Sequence, residues 1–140
     1  MAQRCETVHV LHDEATPDAT YFDTSNKDTM DISNWACKTE NNPEDKADIM
    51  HLYAVAFRPT SGKRAGHILV YVALERYANT GDADVGFWIL QNPSVGCAGG
   101  SFTGTHQTGD LLIVAEFTKG GVIKTIKVYQ WVGSAKSWPA

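Results

Sequence analysis

Two runs rich in β-branched and aromatic residues, Leu111 to Phe117 and Val122 to Val132, are separated only by Thr118-Lys119-Gly120-Gly121. A spacing that short makes the chain fold back on itself as an antiparallel hairpin, because the two glycines can take the positive φ that a tight turn needs. Side chains alternate along a strand. In the second run Ile123, Thr125, Lys127, Tyr129 and Trp131 therefore share one face, and Val122, Ile126, Val128 and Val132 the other. The apolar even face is expected to point into the core.

Upstream, His67 to Glu75 is apolar on both faces, which predicts a central strand. Asp84 to Gln91 follows the turn Asn79-Thr80-Gly81-Asp82 and is expected to be the neighbour of that strand. Helical periodicity is weak. Glu44 to Ala56 is the one candidate helix, and even there Tyr53, Val55 and Phe57 alternate as a strand would. The first 45 residues are polar, with apolar islands at Thr7 to Leu11, Tyr21 to Phe22 and Ile32 to Trp35, and predict loops and edge strands. Pro59 to Lys63 reads as a loop. Several short strands at regular spacing predict an all-β chain, an antiparallel β-sandwich of jelly-roll type, as one domain over residues 1–140, with residues 1–20 the least defined.

The chain has 140 residues, 43% of them hydrophobic, enough to build a core. Its net charge of -4 and the lack of a basic stripe exclude a phosphate-tracking surface and hence a nucleic-acid partner. The longest apolar stretches, such as Ile68 to Leu74, are far shorter than the roughly 20 residues of a membrane-spanning helix, so no direct membrane insertion is expected. The first residues carry no secretory signal, and both ends suit a module of a larger protein. Three cysteines, Cys5, Cys37 and Cys97, lack C-x-x-C spacing. They leave open buried thiols or any of three disulfides with one cysteine over.

Six segments resemble a domain found in large secreted and cell-surface proteins of bacteria, including actinobacteria. They are Asp45-Lys46-x-Asp48-Ile49, Glu75-Arg76-Tyr77-Ala78-Asn79-x-Gly81-Asp82-Ala83, Gly86-Phe87-Trp88, Phe102-x-Gly104-x-His106-x-x-Gly109-Asp110-Leu111-Leu112, Glu116-Phe117-Thr118-x-Gly120-Gly121, and Ile126-x-Val128-Tyr129-x-Trp131-Val132-Gly133. The resemblance spans Ser25 to Gly133. It implies a β-sandwich module at an extracellular or cell-surface location, and no catalytic set.

The residues themselves suggest three chemistries. Asp48 and Asp82 are candidate calcium ligands, but the dense D-x-D-x-D-G spacing of a calcium loop is missing, and Asp at a glycine turn more often caps backbone amides or pairs with a cation such as Arg76. Tyr71, Trp88, Tyr129 and Trp131, with Arg76 and Asp82 nearby, form the candidate ligand-binding set: exposed on one sheet they would stack against a glycan, and otherwise they fill the core. Glu75 and Glu116, each at the end of a predicted strand, are the natural carboxylate pair to act as acid and nucleophile or base on a glycosidic bond, and otherwise are surface or salt-bridged carboxylates. The five histidines show no metal spacing, and no nucleophile elbow or phosphate loop is present. The leading expectation is a non-catalytic structural or adhesive module whose partner is a glycan or another surface protein. A carbohydrate-binding module comes second and a glycoside-active enzyme third.

Overall fold

A computed structural model describes residues 5–12, 29–37 and 44–133. These form eight strands: β1 (Cys5–His12), β2 (Ile49–Phe57), β3 (Leu69–Arg76), β4 (Ala83–Ile89), β5 (Gly96–Ala98), β6 (Ser101–Thr103), β7 (Leu111–Thr118) and β8 (Val122–Gln130). One short 3₁₀ turn, Ile32–Asn34, is the only helical element among the described residues. The chain is mostly β, in three antiparallel sheets: β1-β2-β3, β4-β7-β8 and the two-stranded β5-β6. The 44–56 segment is a turn followed by strand β2, as the alternation of Tyr53, Val55 and Phe57 favours. The island at Tyr21 to Phe22 lies outside the described residues.

The hairpin forms as expected, with β7 and β8 paired from Leu111↔Gln130 to Thr118↔Val122. Gly120 and Gly121 take φ of 89° and 79° in its turn. The face assignment of β8 is corrected by a bulge. Glu116 pairs with Thr125 but Phe117 with Ile123, so Lys124 is an extra residue and the alternation slips there. Ile123 thereby joins the face of Ile126, and Val122 moves to the opposite one.

Nor is the even face the buried one. Ile126 and Val128 stand 59% and 62% exposed, whereas Trp131, on the other face, is only 3% exposed. The reason is positional: β8 is the edge strand of its sheet, and its odd face is covered at the Trp131 end by the 29–37 segment and the 104–110 loop.

Two further expectations change. Strand β3 is an edge strand of its sheet, and β4 pairs with β7 instead of β3. The apolar faces of β3 still have a partner across space. Val72 and Leu74 share a cleft of about 310 Å³ with Phe87, Ile113, Phe117 and Ile126 of the other sheet.

One corner is held by backbone bonds between three turns. Tyr77 N donates to Asp48 O, and Ala78 N to Asp45 O. Arg76 donates to the Lys46 carbonyl (2.7 Å) while its guanidinium lies 4.7 Å from the Phe117 ring centre. The hairpin turn joins them through Gly120 N to Asn79 O and Lys119 N to the Asp82 carboxylate (2.8 Å). Asp82 is thus an amide cap.

At the opposite end Cys37 is bonded to Cys97, which settles which pair joins and leaves Cys5 over. The bridge fastens the 29–37 segment to β5, beside the hydrogen bonds of Cys37 N to Gly100 O and Phe102 N to Trp35 O. Closing a loop of 60 residues removes unfolded-chain entropy worth about 4 kcal/mol. Chemical denaturation of a Cys37→Ser, Cys97→Ser protein is therefore expected to show a stability loss of about 2–4 kcal/mol. An unchanged midpoint and slope would show that the bridge adds nothing.

Candidate functional site

The register of β4-β7-β8 decides which of the candidate residues meet. Trp88, Leu112 and Tyr129 form one cross-strand row, with Gly86, Val114 and Lys127 as the next row and Asp84, Glu116 and Thr125 as the third, all on one face. Trp131 continues that face past the end of β8. Tyr71 does not join them. It stands on β3, 58% exposed and parallel to Phe57 (5.7 Å between centres, 4° between planes). Arg76 and Asp82 belong to the hydrogen-bonded corner. The candidate ligand-binding set is therefore split between two sheets and a turn, and only Trp88, Tyr129 and Trp131 share a face.

Over that face closes an aromatic cluster with a polar centre. His106, with a fully buried side chain, stacks on Trp131 (4.3 Å, 25°), lies 4.4 Å from the Trp88 ring centre, and meets the edge of Trp35 (5.3 Å). Phe102 packs edge-on against Trp35.

The His106 Nδ1 is 3.1 Å from an oxygen of Asp110, which is 0% exposed. An ionised carboxylate only accepts, so Nδ1 carries the hydrogen. Asp110 also accepts from Gln107 N (3.0 Å), Gln91 N (2.9 Å) and Gln91 Nε2 (3.2 Å). Its backbone is bound as well, with Trp131 N donating to Asp110 O and Gly109 N to Trp131 O, both at 2.8 Å.

Burial raises the Asp110 pKa, but the bonds from Gln107, Gln91 and His106 outweigh it and hold the carboxyl below the ordinary aspartate value. The sequence gives His106 and Asp110 no role. The signal that points to them is an aspartate set directly before the unbroken apolar run 111–115, four residues after a histidine. A charge there has to be either a turn cap or a fully satisfied buried ion.

This pair has the groups of an acid-base dyad without access. The imidazole is sealed, and its Nε2 is buried with no hydrogen-bond partner. The expected carboxylate pair also fails to assemble: Glu75 of β3 pairs with His51 (3.1 Å), and Glu116 of β7 with Lys127 (2.7 Å), on different sheets. The hydrogen bond and charge of Lys127 hold the Glu116 carboxyl below its ordinary value, opposite to the raised pKa a general acid needs. Among the described residues no group of three His, Cys, Asp or Glu converges as a metal site, and Asp48 and Asp82 lie in separate turns.

Beside the cluster the same face opens into a cleft of about 450 Å³. It is lined by Trp35, Trp88, Leu112 and Ile49, with Gly86 and Asp84 along β4. Trp88 is half-buried and Trp35 is buried.

Because the folded pKa of Asp110 lies below its unfolded value, its stabilisation is present above the unfolded pKa, about 4, and is lost as pH falls through the depressed folded pKa. Urea melts from about pH 6 down to pH 3 should show stability falling with acid in the native protein, and an acid slope reduced in Asp110→Asn. The Asp110→Ala protein should lose about 3–5 kcal/mol, because His106 and two backbone amides are left unpaired in the core. An Asp110→Asn protein with the native acid slope would refute this role. No family profile, no curated protein and no solved structure matches the chain.

Proposed function

We propose that the chain is a non-catalytic structural or adhesive module of a secreted or surface-anchored bacterial protein, built as a β-sandwich from its two three-stranded sheets. One observation carries this reading. Among the candidate acid-base groups, His106 is paired with Asp110 and Glu116 with Lys127, while Glu75 lies on the other sheet, 3.1 Å from His51. The sandwich is supported by the cleft that Val72 and Leu74 share with Phe87 and Ile113. An extracellular location is supported by the Cys37–Cys97 bond, since disulfides persist in oxidising compartments.

The partner of such a module would be another surface protein or a glycan.

Carbohydrate binding is the second reading, favoured by Trp88, which keeps part of its ring in an open cleft. Trp131 takes no part in it, being sealed in the cluster.

Alkylation and mass spectrometry on the protein from its native source test the location. Cys37 and Cys97 are expected to resist alkylation until reduced. Finding both alkylated in unreduced native material would remove the extracellular reading. For the non-catalytic reading, a panel of chromogenic glycosides is expected to show no turnover, and turnover abolished by Glu116→Gln would overturn it.

A further inference from the structure

We infer that the seam along strands β3 and β8 is the docking surface for a second copy of this chain, with β8 paired antiparallel to the partner's β8 about a two-fold axis at Val128.

Strand β8 ends its sheet, and among the described residues no strand lies beyond it. Which of its backbone groups point outward follows from the bonds just past its end. Trp131 N donates to Asp110 O and Gly109 N to Trp131 O, so residue 131 turns both of its backbone groups toward the β7 side. In an antiparallel ladder these directions alternate along the strand. Ile126, Val128 and Gln130 therefore turn their N–H and C=O groups to the open edge, which is a template for one more strand. The bulge at Lys124 blunts only the hairpin end of that edge, and the register from Thr125 to Gln130 is unbroken.

Side chains add an apolar stripe along the same edge. Ile123, Ile126 and Val128 share the face turned toward the first sheet, and Ile123 and Ile126 line the cleft of about 310 Å³ together with Val72 and Leu74 of β3. Edge strand β3 thus borders the same opening. Of the eleven large hydrophobic side chains that stand exposed among the described residues, seven are aliphatics on or beside these two strands, five at β8 and two at β3. A half-exposed Val or Ile leaves about 100 Å² in water, so the stripe comes to about 700 Å², close to the ~800 Å² that each partner buries in a specific interface.

An identical copy fits this seam better than a foreign partner. Along 125–130 the one charged side chain is Lys127, already bonded to Glu116 (2.7 Å), so no charge there selects a different protein. An apolar stripe beside a free edge is complementary to itself under two-fold symmetry. Symmetry also restricts the register, because opposed residues must share a face and the axis must pass through a residue. At Lys127 it would set two ammonium groups opposite each other, which is destabilising. At Ile126 it would draw the bulged Lys124 into the ladder. At Val128 it sets Val128 against the partner's Val128, Ile126 against the partner's Gln130 and Lys127 against the partner's Tyr129. All the outward backbone groups of 126, 128 and 130 are then bonded.

Sedimentation velocity of the intact chain across the micromolar range tests this, with circular dichroism to verify that each variant is folded. A dimer with a Kd in the micromolar range or below is expected. Val128→Lys should weaken it by about a hundredfold and Val70→Lys, at the β3 side of the seam, by about tenfold. Tyr53→Ser, on the middle strand β2, should leave it unchanged. Amide hydrogen exchange at Ile126, Val128 and Gln130 should slow as the dimer forms. Should Val128→Lys misfold, Val70→Lys and the exchange of these three amides carry the test. A chain that stays monomeric throughout would overturn the inference. So would a dimer that folded Val128→Lys forms as well as the native chain, or one that forms without slower exchange at those amides.

Discussion

The carboxylate of Asp110 has no exposure and four hydrogen-bond donors, and the ends of three chain segments are fixed by where it sits. Gln91, just past β4, donates to it twice; His106 and Gln107 bring the preceding loop; and the backbone of Trp131 ties down the end of β8. A buried carboxylate is costly unless every lone pair finds a donor. Here that requirement selects one arrangement of β4, β7, β8 and the 104–110 loop. The unpartnered Nε2 of His106 costs about 1–3 kcal/mol. It is offset by the carboxylate bond and by ring contacts with three indoles, each worth about 0.5–1.5 kcal/mol.

The disulfide and the three-turn corner extend this constraint to the segments that strand pairing does not hold. Cys37–Cys97 and the bonds of Trp35 and Cys37 to Phe102 and Gly100 keep Trp35 over the second sheet, where its edge closes the cluster and walls the neighbouring cleft. At the corner, Arg76 and Asp82 are spent on carbonyl and amide groups of adjoining turns. The charged motifs around 45–48 and 75–82 thus read as mortar between turns. Among the described residues, Trp88 lines a half-open cleft and Tyr71 stands exposed on β3.

Much of the fold was legible because alternation and turn chemistry are local. The Gly120-Gly121 hairpin follows from neighbouring residues alone, and within 44–56, the one candidate helix, the alternation of Tyr53, Val55 and Phe57 already points to the strand Ile49–Phe57, whereas the amide that Asp82 caps is that of Lys119 in a distant turn. What went unread is non-local. The apolar residues of β8 look core-facing, but on an edge strand Ile126 and Val128 stay more than half exposed, and a one-residue bulge at Lys124 moves Ile123 onto their face. The aromatic set reads as one platform, but Tyr71 and Trp88 lie in different sheets because β4 pairs with β7 instead of β3.

From its residues alone the chain reads as β-rich and antiparallel, with its tightest hairpin turn at Gly120-Gly121. Each of those depends on residue types within a few positions of one another. The folded chain settles which cysteines join, which face of β8 is covered, that His106 and Asp110 form a sealed pair, and that Gly86 fronts a cleft. Those outcomes depend on contacts between segments tens of residues apart, whose energies come from burial and from satisfying buried polar groups, and no local pattern encodes which partners will meet.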